Sequence, residues 1–141
     1  MFFGESDYKL DEKGRLPVPP RFRLPLKDGL VLLPGVEKCV IAYPTSEWVK
    51  LSQKLGDNGL LSNAKTRKLN RALFGQAFAT NLDAQGRISL PAPLRAHADI
   101  GDDVVVVGVN STLELWSKTA WQAEKSTDAD ELWNIIESLG K

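Results

Sequence analysis

The phrase LDEKGRLPVPPRFR, at residues 10–23, returns as LDAQGRISLPAPLR at residues 82–95. Six of the fourteen aligned positions are identical, and the similarity continues beyond the phrase with one extra residue in the second copy. The identical pairs are Leu10 and Leu82, Asp11 and Asp83, Gly14 and Gly86, Arg15 and Arg87, Pro19 and Pro91, and Arg23 and Arg95. This self-similarity predicts a tandem duplication of a unit of about 50 residues.

Each copy predicts the same order of elements. A strand meets the turn DEKGR or DAQGR, where the glycine supplies the positive φ of a tight hairpin, and a second strand leaves the turn and stops at proline. The apolar runs LVLLPGVEKCVIAYP and DVVVVGVNSTLELWS then predict hairpins that turn near Pro34 and Gly35 and near residues 108–110. A helix should follow each run, after Pro44 and after Ser117, with Ser or Thr available as its N-cap.

Two segments lie outside the duplication. Residues 62–78 predict a helix with Ser62 as its cap and a basic outer face. The tail predicts a second helix that begins at the cap Thr127 and ends at Gly140. The apolar positions of this tail helix form one stripe, at Leu132, Ile135, Ile136 and Leu139. The stripe must pack on the same chain or on a neighbouring subunit.

Charge is distributed unevenly along a chain whose formal net charge is zero. Residues 1–97 carry 15 Lys and Arg against 9 Asp and Glu, a balance of +6, whereas residues 98–141 carry 3 against 9, a balance of −6. Four of the basic residues fall close together, at Lys65, Arg67, Lys68 and Arg71. A basic surface that binds nucleic acid is therefore compatible with a near-neutral chain, because binding responds to the local potential.

Several classes of function find little support in the residues. No apolar run is long enough to span a bilayer and no signal peptide is recognisable, so we expect a cytoplasmic protein with no membrane partner. A single His and a single Cys offer no metal site, and we expect no cofactor and no small-molecule substrate. Cys39, within an apolar run, is interpreted as a core residue, and His97 as a surface or capping residue.

One enzymatic hypothesis is that a pseudo-twofold fold brings Asp11 and Asp83 together as a proton-sharing pair. Each Asp is followed three and four residues later by Gly and Arg, which favours a simpler interpretation. In that interpretation the carboxylate binds the backbone of its own turn and packs against the adjacent Arg. We therefore predict a protein that is not an enzyme.

The arginines of the two turns allow two interpretations. Arg15 and Arg87 could pair with the preceding aspartates and stabilise each turn. Alternatively, two hairpins related by a pseudo-dyad, with Lys13 and Gln85 at their tips, present a symmetric surface suited to a helical groove. Arginine binds phosphates or guanine edges, and glutamine pairs with adenine, so the duplication favours a DNA-binding role.

The two phrases, together with MFFGESDYKLDEKGR, TRKLNRALFGQAFATNLDAQGR and VVVVGVNSTLELWSKTAW, closely resemble the MraZ family within the AbrB-like group, over nearly the whole chain. The family's DxxxR motif falls on Asp11 and Arg15, and again on Asp83 and Arg87. The resemblance implies an α+β, mainly β fold, a double-split swapped-hairpin β-barrel formed by tandem repeats with flanking helices. It also implies ring-shaped homo-oligomers that associate with the nucleoid. Such rings would bind promoter repeats ahead of the cell-division and cell-wall gene cluster, often as repressors.

We therefore predict one intertwined globular unit with four segments: residues 1–57 as the first AbrB-like repeat, 58–78 as a linking basic helix, 79–125 as the second repeat and 126–141 as a C-terminal helix. Its predicted function is sequence-specific regulation of transcription, with double-stranded DNA as its partner. An antitoxin-like or protein-interaction scaffold is the alternative, favoured by the acidic tail helix with its apolar stripe. Salt dependence separates the two, because phosphate contacts weaken steeply as salt rises.

The predicted DNA-binding residues are Arg15, Arg87, Lys13, Gln85 and Arg21. The residues predicted to structure the turns are Asp11, Gly14, Asp83 and Gly86. The copies differ at Pro17, which removes a ladder donor and implies an edge strand or a bulge, and at the tip, where Gln85 replaces Lys13. We therefore expect the first repeat to contact DNA more strongly than the second.

Overall fold

The computed structural model describes residues 1–56, 63–126 and 128–140 of an α+β protein. Its strands are β1 (Glu5–Lys9), β2 (Arg15–Pro17), β3 (Leu30–Pro34), β4 (Val40–Pro44), β5 (Phe78–Thr80), β6 (Arg87–Ser89), β7 (Asp103–Gly108) and β8 (Leu113–Ser117). Its helices are α1 (Pro20–Arg23), α2 (Thr45–Gly56), α3 (Ala64–Phe74), α4 (Ala92–His97), α5 (Lys118–Glu124) and α6 (Ala129–Leu139). A 3-10 turn, Leu24–Leu26, follows α1.

The strands form a six-stranded antiparallel sheet, ordered β1-β7-β8-β4-β3-β5, and a two-stranded ribbon of β2 and β6. The order is palindromic, because β1, β3 and β4 of the first repeat correspond to β5, β7 and β8 of the second. β1 pairs with a strand of the second repeat, and β5 pairs with a strand of the first. The two halves therefore exchange strands. The sheet has edges at β1 and β5, and no closed barrel forms within the described residues.

Strand register locates a pseudo-dyad between the repeats. Ile41 lies opposite Glu114 at the centre of the β4–β8 pairing, and Leu16 lies opposite Ile88 at the centre of the ribbon. Each of these pairs joins positions 72 or 73 residues apart, which is the offset between the repeats. The offset of the predicted duplication therefore coincides with an approximate twofold symmetry of the strand pairing.

The main sheet is covered on both faces, which explains its uninterrupted apolar strands. In β7, Val104 and Val106 belong to the principal core, whereas Val105 and Val107 pack with Cys39 and Trp116 on the opposite face. The principal core also contains Leu16 and Ile88, so it lies between the sheet and the ribbon.

Cys39 and His97 occupy structural positions, as predicted. Cys39 is fully buried, and burial raises the pKa of its thiol to about 12. His97 Nε2 lies 2.9 Å from the carbonyl oxygen of Gly35 and 3.1 Å from that of Glu37. Because carbonyls only accept hydrogen bonds, Nε2 carries the proton and ties the end of α4 to the β3–β4 turn.

The ends of the helices outside the duplication differ from the predictions. The cap of α3 is Asn63, whose side chain accepts a hydrogen bond from the Thr66 N–H, and α3 ends before β5 begins at Phe78. The predicted extension of this helix to residue 78 is wrong, because β5 pairs with β3. The cap of α6 is Asp128, whose carboxylate accepts from the Asp130 N–H. The predicted caps Ser62 and Thr127 lie outside the described residues. Among the described helices, none combines the length and the hydrophobicity that a membrane-spanning segment requires.

Candidate nucleic-acid interface

The first turn, residues 11–15, is organised around one carboxylate. Asp11 Oδ1 accepts hydrogen bonds from the backbone N–H groups of Lys13 and Arg15, both at 2.9 Å. Its Oδ2 accepts a hydrogen bond from Arg15 Nε at 2.6 Å. The backbone closes the turn through the Asp11 N–H to the Arg15 carbonyl, at 3.0 Å. One side chain therefore fixes both the backbone of the turn and the direction of the arginine.

The second turn, residues 83–87, repeats this geometry. Asp83 Oδ1 accepts from the N–H groups of Gln85 and Arg87, at 2.9 and 2.8 Å, and its Oδ2 accepts from Arg87 Nε at 2.9 Å. Gly14 and Gly86 have φ values of 73° and 74°, the positive φ that a tight turn requires. The predicted ion pair within each turn is present.

The flanking strands do not form the simple hairpins that the sequence suggested. β1 enters the six-stranded sheet beside β7, whereas β2 leaves the first turn to pair with β6 in the ribbon. The turn is therefore tight, but its two flanking strands diverge because each pairs with a different strand of the other repeat.

The charged form of both aspartates is favoured in the folded state. The hydrogen bond from the Arg15 N–H, followed by those from the Arg15 side chain and the Lys13 N–H, lowers the pKa of Asp11 below its ordinary 3.8. The equivalent bonds from Arg87 and Gln85 lower the pKa of Asp83. A proton-sharing pair requires one raised carboxyl pKa, so this geometry argues against the enzymatic hypothesis.

Acid sensitivity follows from these lowered pKa values. Because the unfolded chain binds protons more tightly, the two turns contribute stability above pH 3.8 that is lost as the pH falls through the folded-state pKa values. We expect Asp11→Asn/Asp83→Asn to be less stable at pH 7 and to show a shallower loss of stability below about pH 4. Urea unfolding between pH 2 and 7 measures this. Asp7→Asn, at an exposed aspartate of β1, is the control. The expectation would be contradicted if the double variant lost unfolding free energy below about pH 4 as steeply as the native protein.

A second pair of arginines, Arg23 and Arg95, connects each repeat to the turn of the other. An added Cβ on Gly14 would overlap the guanidinium of Arg95, and one on Gly86 would overlap that of Arg23. Arg23 Nε also donates to the Val18 carbonyl at 2.9 Å, and Arg95 Nη1 to the Leu90 carbonyl at 3.1 Å. Each repeat thus places an arginine over the turn glycine of the other. Arg23 and Arg95 were not predicted as site residues, although their identity at the repeat offset was a usable signal.

The ribbon explains how Pro17 is accommodated. The Val18 N–H donates to the Gly86 carbonyl, and the Leu90 N–H donates to the Gly14 carbonyl, both at 2.9 Å. Hydrogen-bonded pairs alternate along an antiparallel ladder, so Pro17, one position from Val18, has its nitrogen directed away from β6. The predicted edge position is confirmed, since β2 pairs only with β6 among the described strands.

The turns lie side by side but are not equivalent. Arg87 Nη1 is 3.7 Å from Asp11 Oδ2, so this arginine bridges both turns. Among the described residues, no matching ion pair joins Arg15 to Asp83. The side chains of Arg15 and Arg87 are 31% and 26% exposed, whereas Lys13 and Gln85 are exposed at the tips, as expected.

Arg21 is held at a different place. Its guanidinium lies 4.3 Å from the centre of the Phe22 ring, and its Nη2 donates to Ser6 Oγ at 3.3 Å and to the Phe3 carbonyl at 3.5 Å. These contacts attach Arg21 to β1 and the chain before it, and none of them joins Arg21 to either turn.

A family model described as "MraZ protein, putative antitoxin-like" matches residues 1–71 and 73–135. The chain belongs to the MraZ family. A protein of Dehalococcoides mccartyi, named Transcriptional regulator MraZ, is 54% identical over 140 residues, covering 99% of this chain and 98% of its own length. A protein of the same name from a Roseiflexus species is 40% identical, covering 86% of this chain and 85% of its own length. Another of that name, from Alkaliphilus metalliredigens, is 39% identical and covers 99% of both chains. MraZ is thus a family of transcriptional regulators.

Within this MraZ chain, the residues of the DxxxR motif form one continuous cluster across the pseudo-dyad. The structure brings Asp11, Arg15, Asp83 and Arg87 together, adds Arg23 and Arg95 behind them, and leaves Arg21 apart. Nothing in the described residues groups three or more His, Cys, Asp or Glu as metal ligands.

Proposed function

We propose that this MraZ protein regulates transcription by binding double-stranded promoter DNA through the paired DxxGR turns. The observation that carries the proposal is the juxtaposition of two arginine-bearing turns across a pseudo-dyad, with Arg87 bridging both. A twofold-related pair of turns matches the approximate twofold symmetry of a duplex, in which equivalent groups recur on the two strands.

The ion pairs within the turns prepare the arginines for DNA binding. Each aspartate binds the Nε atom of its arginine, so the long side chain is already oriented before DNA arrives. The terminal nitrogens of Arg15 are then available for a phosphate or the O6 and N7 atoms of guanine. Pre-orientation lowers the conformational entropy lost on binding, so the two interpretations of the arginines are complementary.

Further features are proposed from the family resemblance. The strand exchange between the repeats supports a double-split, swapped-hairpin arrangement for the fold. We also propose a nucleoid-associated, ring-shaped homo-oligomer that acts on promoter repeats of the cell-division and cell-wall gene cluster. Several turn pairs in one assembly would bind successive DNA repeats and raise the affinity by avidity.

The unequal tips provide a direct test. We expect Lys13→Ala to weaken binding to all sequences and to reduce the slope of log K against log salt by about 0.9 for each DNA-bound protomer, because a phosphate contact is lost. Gln85→Ala should leave that slope unchanged and relax base preference. Mobility-shift titrations at several salt concentrations, on promoter and scrambled DNA, measure both effects. Lys54→Ala on α2 is the charge-matched control, and binding of the native protein that ignores salt would contradict the proposal.

An antitoxin-like or protein-interaction scaffold is the second candidate. The specific observation in its favour is the exposed apolar stripe of α6, which is typical of protein contacts. This candidate predicts that promoter DNA is not bound and that complexes with protein persist at high salt.

A further inference from the structure

The amphipathic helix α6 presents an apolar stripe to solvent. Leu132, Ile135, Ile136 and Leu139 are between 49% and 80% exposed, and the adjacent Trp133 is 64% exposed. The helix and its cap carry only acidic charges, at Asp128, Asp130, Glu131 and Glu137. A stripe of this size rimmed by charge is a feature of binding surfaces.

Helix α3 has the opposite charge. Its residues include Lys65, Arg67, Lys68 and Arg71 and no acid, so its formal charge is +4 against −4 for α6 with its cap. Thr66, Asn70 and Leu73 lie on the less exposed side of α3. The outer side exposes Leu69 and Ala72 beside Lys65 and Lys68, which provides apolar contact within a basic surface.

The two helices lie on opposite sides of the pseudo-dyad. Phe74 of α3 packs against Trp48, with ring centroids 5.1 Å apart, in the first repeat. Leu132 of α6 lines a cavity with Trp116 and Trp121, in the second repeat. Trp48 and Trp121 are equivalent positions of the two repeats. A protomer therefore has a basic helix on one side and an acidic apolar helix on the other, so its own α6 is poorly placed to cover its own α3.

We propose that α6 of one protomer docks on α3 of a second copy of this chain. Contact between two α6 helices would place −4 against −4, whereas α6 on α3 places −4 against +4 and covers the apolar stripe. This contact joins different surfaces, so each added protomer leaves one α3 and one α6 open. Repetition of such a head-to-tail contact gives a closed ring when the rotation between successive protomers adds up to a full turn. The inference rests on the proposed ring assembly and names its interface.

The test uses two variants that each disable one side. Lys65→Glu/Lys68→Glu changes α3, and Ile135→Asp/Leu139→Asp changes α6; all four positions are exposed, and circular dichroism checks that each variant folds. Sedimentation is expected to show a large assembly for the native protein and monomers for each variant alone. An equimolar mixture should form a heterodimer and nothing larger, because one intact α6 meets one intact α3. Lys54→Glu on α2 controls for charge reversal and should assemble like the native protein.

Two results would overturn the interface. If the α3 variant assembled like the native protein, α6 would dock elsewhere, as in a contact between two α6 helices. A native protein that stayed monomeric at all concentrations would exclude head-to-tail assembly altogether. DNA binding is scored separately, because Arg15→Ala/Arg87→Ala should still assemble and the α6 variant should still bind a single DNA repeat. Failure of the interface and failure of DNA recognition are therefore distinguishable.

Discussion

The double variant Arg15→Ala/Arg87→Ala is expected to lose DNA binding almost completely at moderate salt. A well-formed arginine contact to a guanine edge contributes about 1–3 kcal/mol, so two lost contacts cost roughly 2–6 kcal/mol, or about 30-fold to more than 10⁴-fold in affinity. The loss should be increased by the unpaired carboxylates of Asp11 and Asp83, which would then face the phosphates.

Mobility-shift titration of promoter DNA across a salt series measures this loss. Lys50→Ala/Lys54→Ala removes the same amount of charge from α2 and should change affinity far less, because α2 lies outside the two turns. If the arginine variant bound as tightly as the native protein, and with the same salt slope, the turns would not be the DNA-contacting surface.

The second large effect is expected from Leu16→Ala. Leu16 is fully buried at the centre of the ribbon, opposite Ile88, where the pseudo-dyad passes. Truncation removes apolar contacts and leaves a cavity, which typically costs about 2–5 kcal/mol of unfolding free energy. Since the ribbon holds the two turns at a fixed separation, weakened DNA binding should accompany the loss of stability.

Denaturant unfolding gives the free-energy difference directly. Leu24→Ala is the matched control, because Leu24 is 74% exposed and its truncation should change stability by less than about 0.5 kcal/mol. Equal effects of the two substitutions would show that the ribbon is not part of the stabilising core.

Features that depend on near neighbours in the chain were predictable. The β3–β4 and β7–β8 hairpins turn where Pro34 and Gly108 indicated, and Ser117 caps α5 by accepting a hydrogen bond from the Ala120 N–H. The N-cap was harder to predict where two polar residues are adjacent. At α3, Ser62 and Asn63 are both residue types that cap helices well, and Asn63 is the cap. The sequence offers no local reason to choose between them.

The sequence by itself determined the duplication and the chemistry of each turn. Asp11 and Asp83 bind groups two and four residues away, and the turn glycines adopt the positive φ that they favour. Only the tertiary structure decided that β1 and β2 pair with different strands of the second repeat. It also decided that Arg23 and Arg95 each lie over the turn glycine of the other repeat, and that Arg87 forms an ion pair with Asp11. The physical reason is sequence separation. A turn is stabilised by contacts within five residues, whereas these contacts join groups more than 60 residues apart, and only packing around the dyad brings them together.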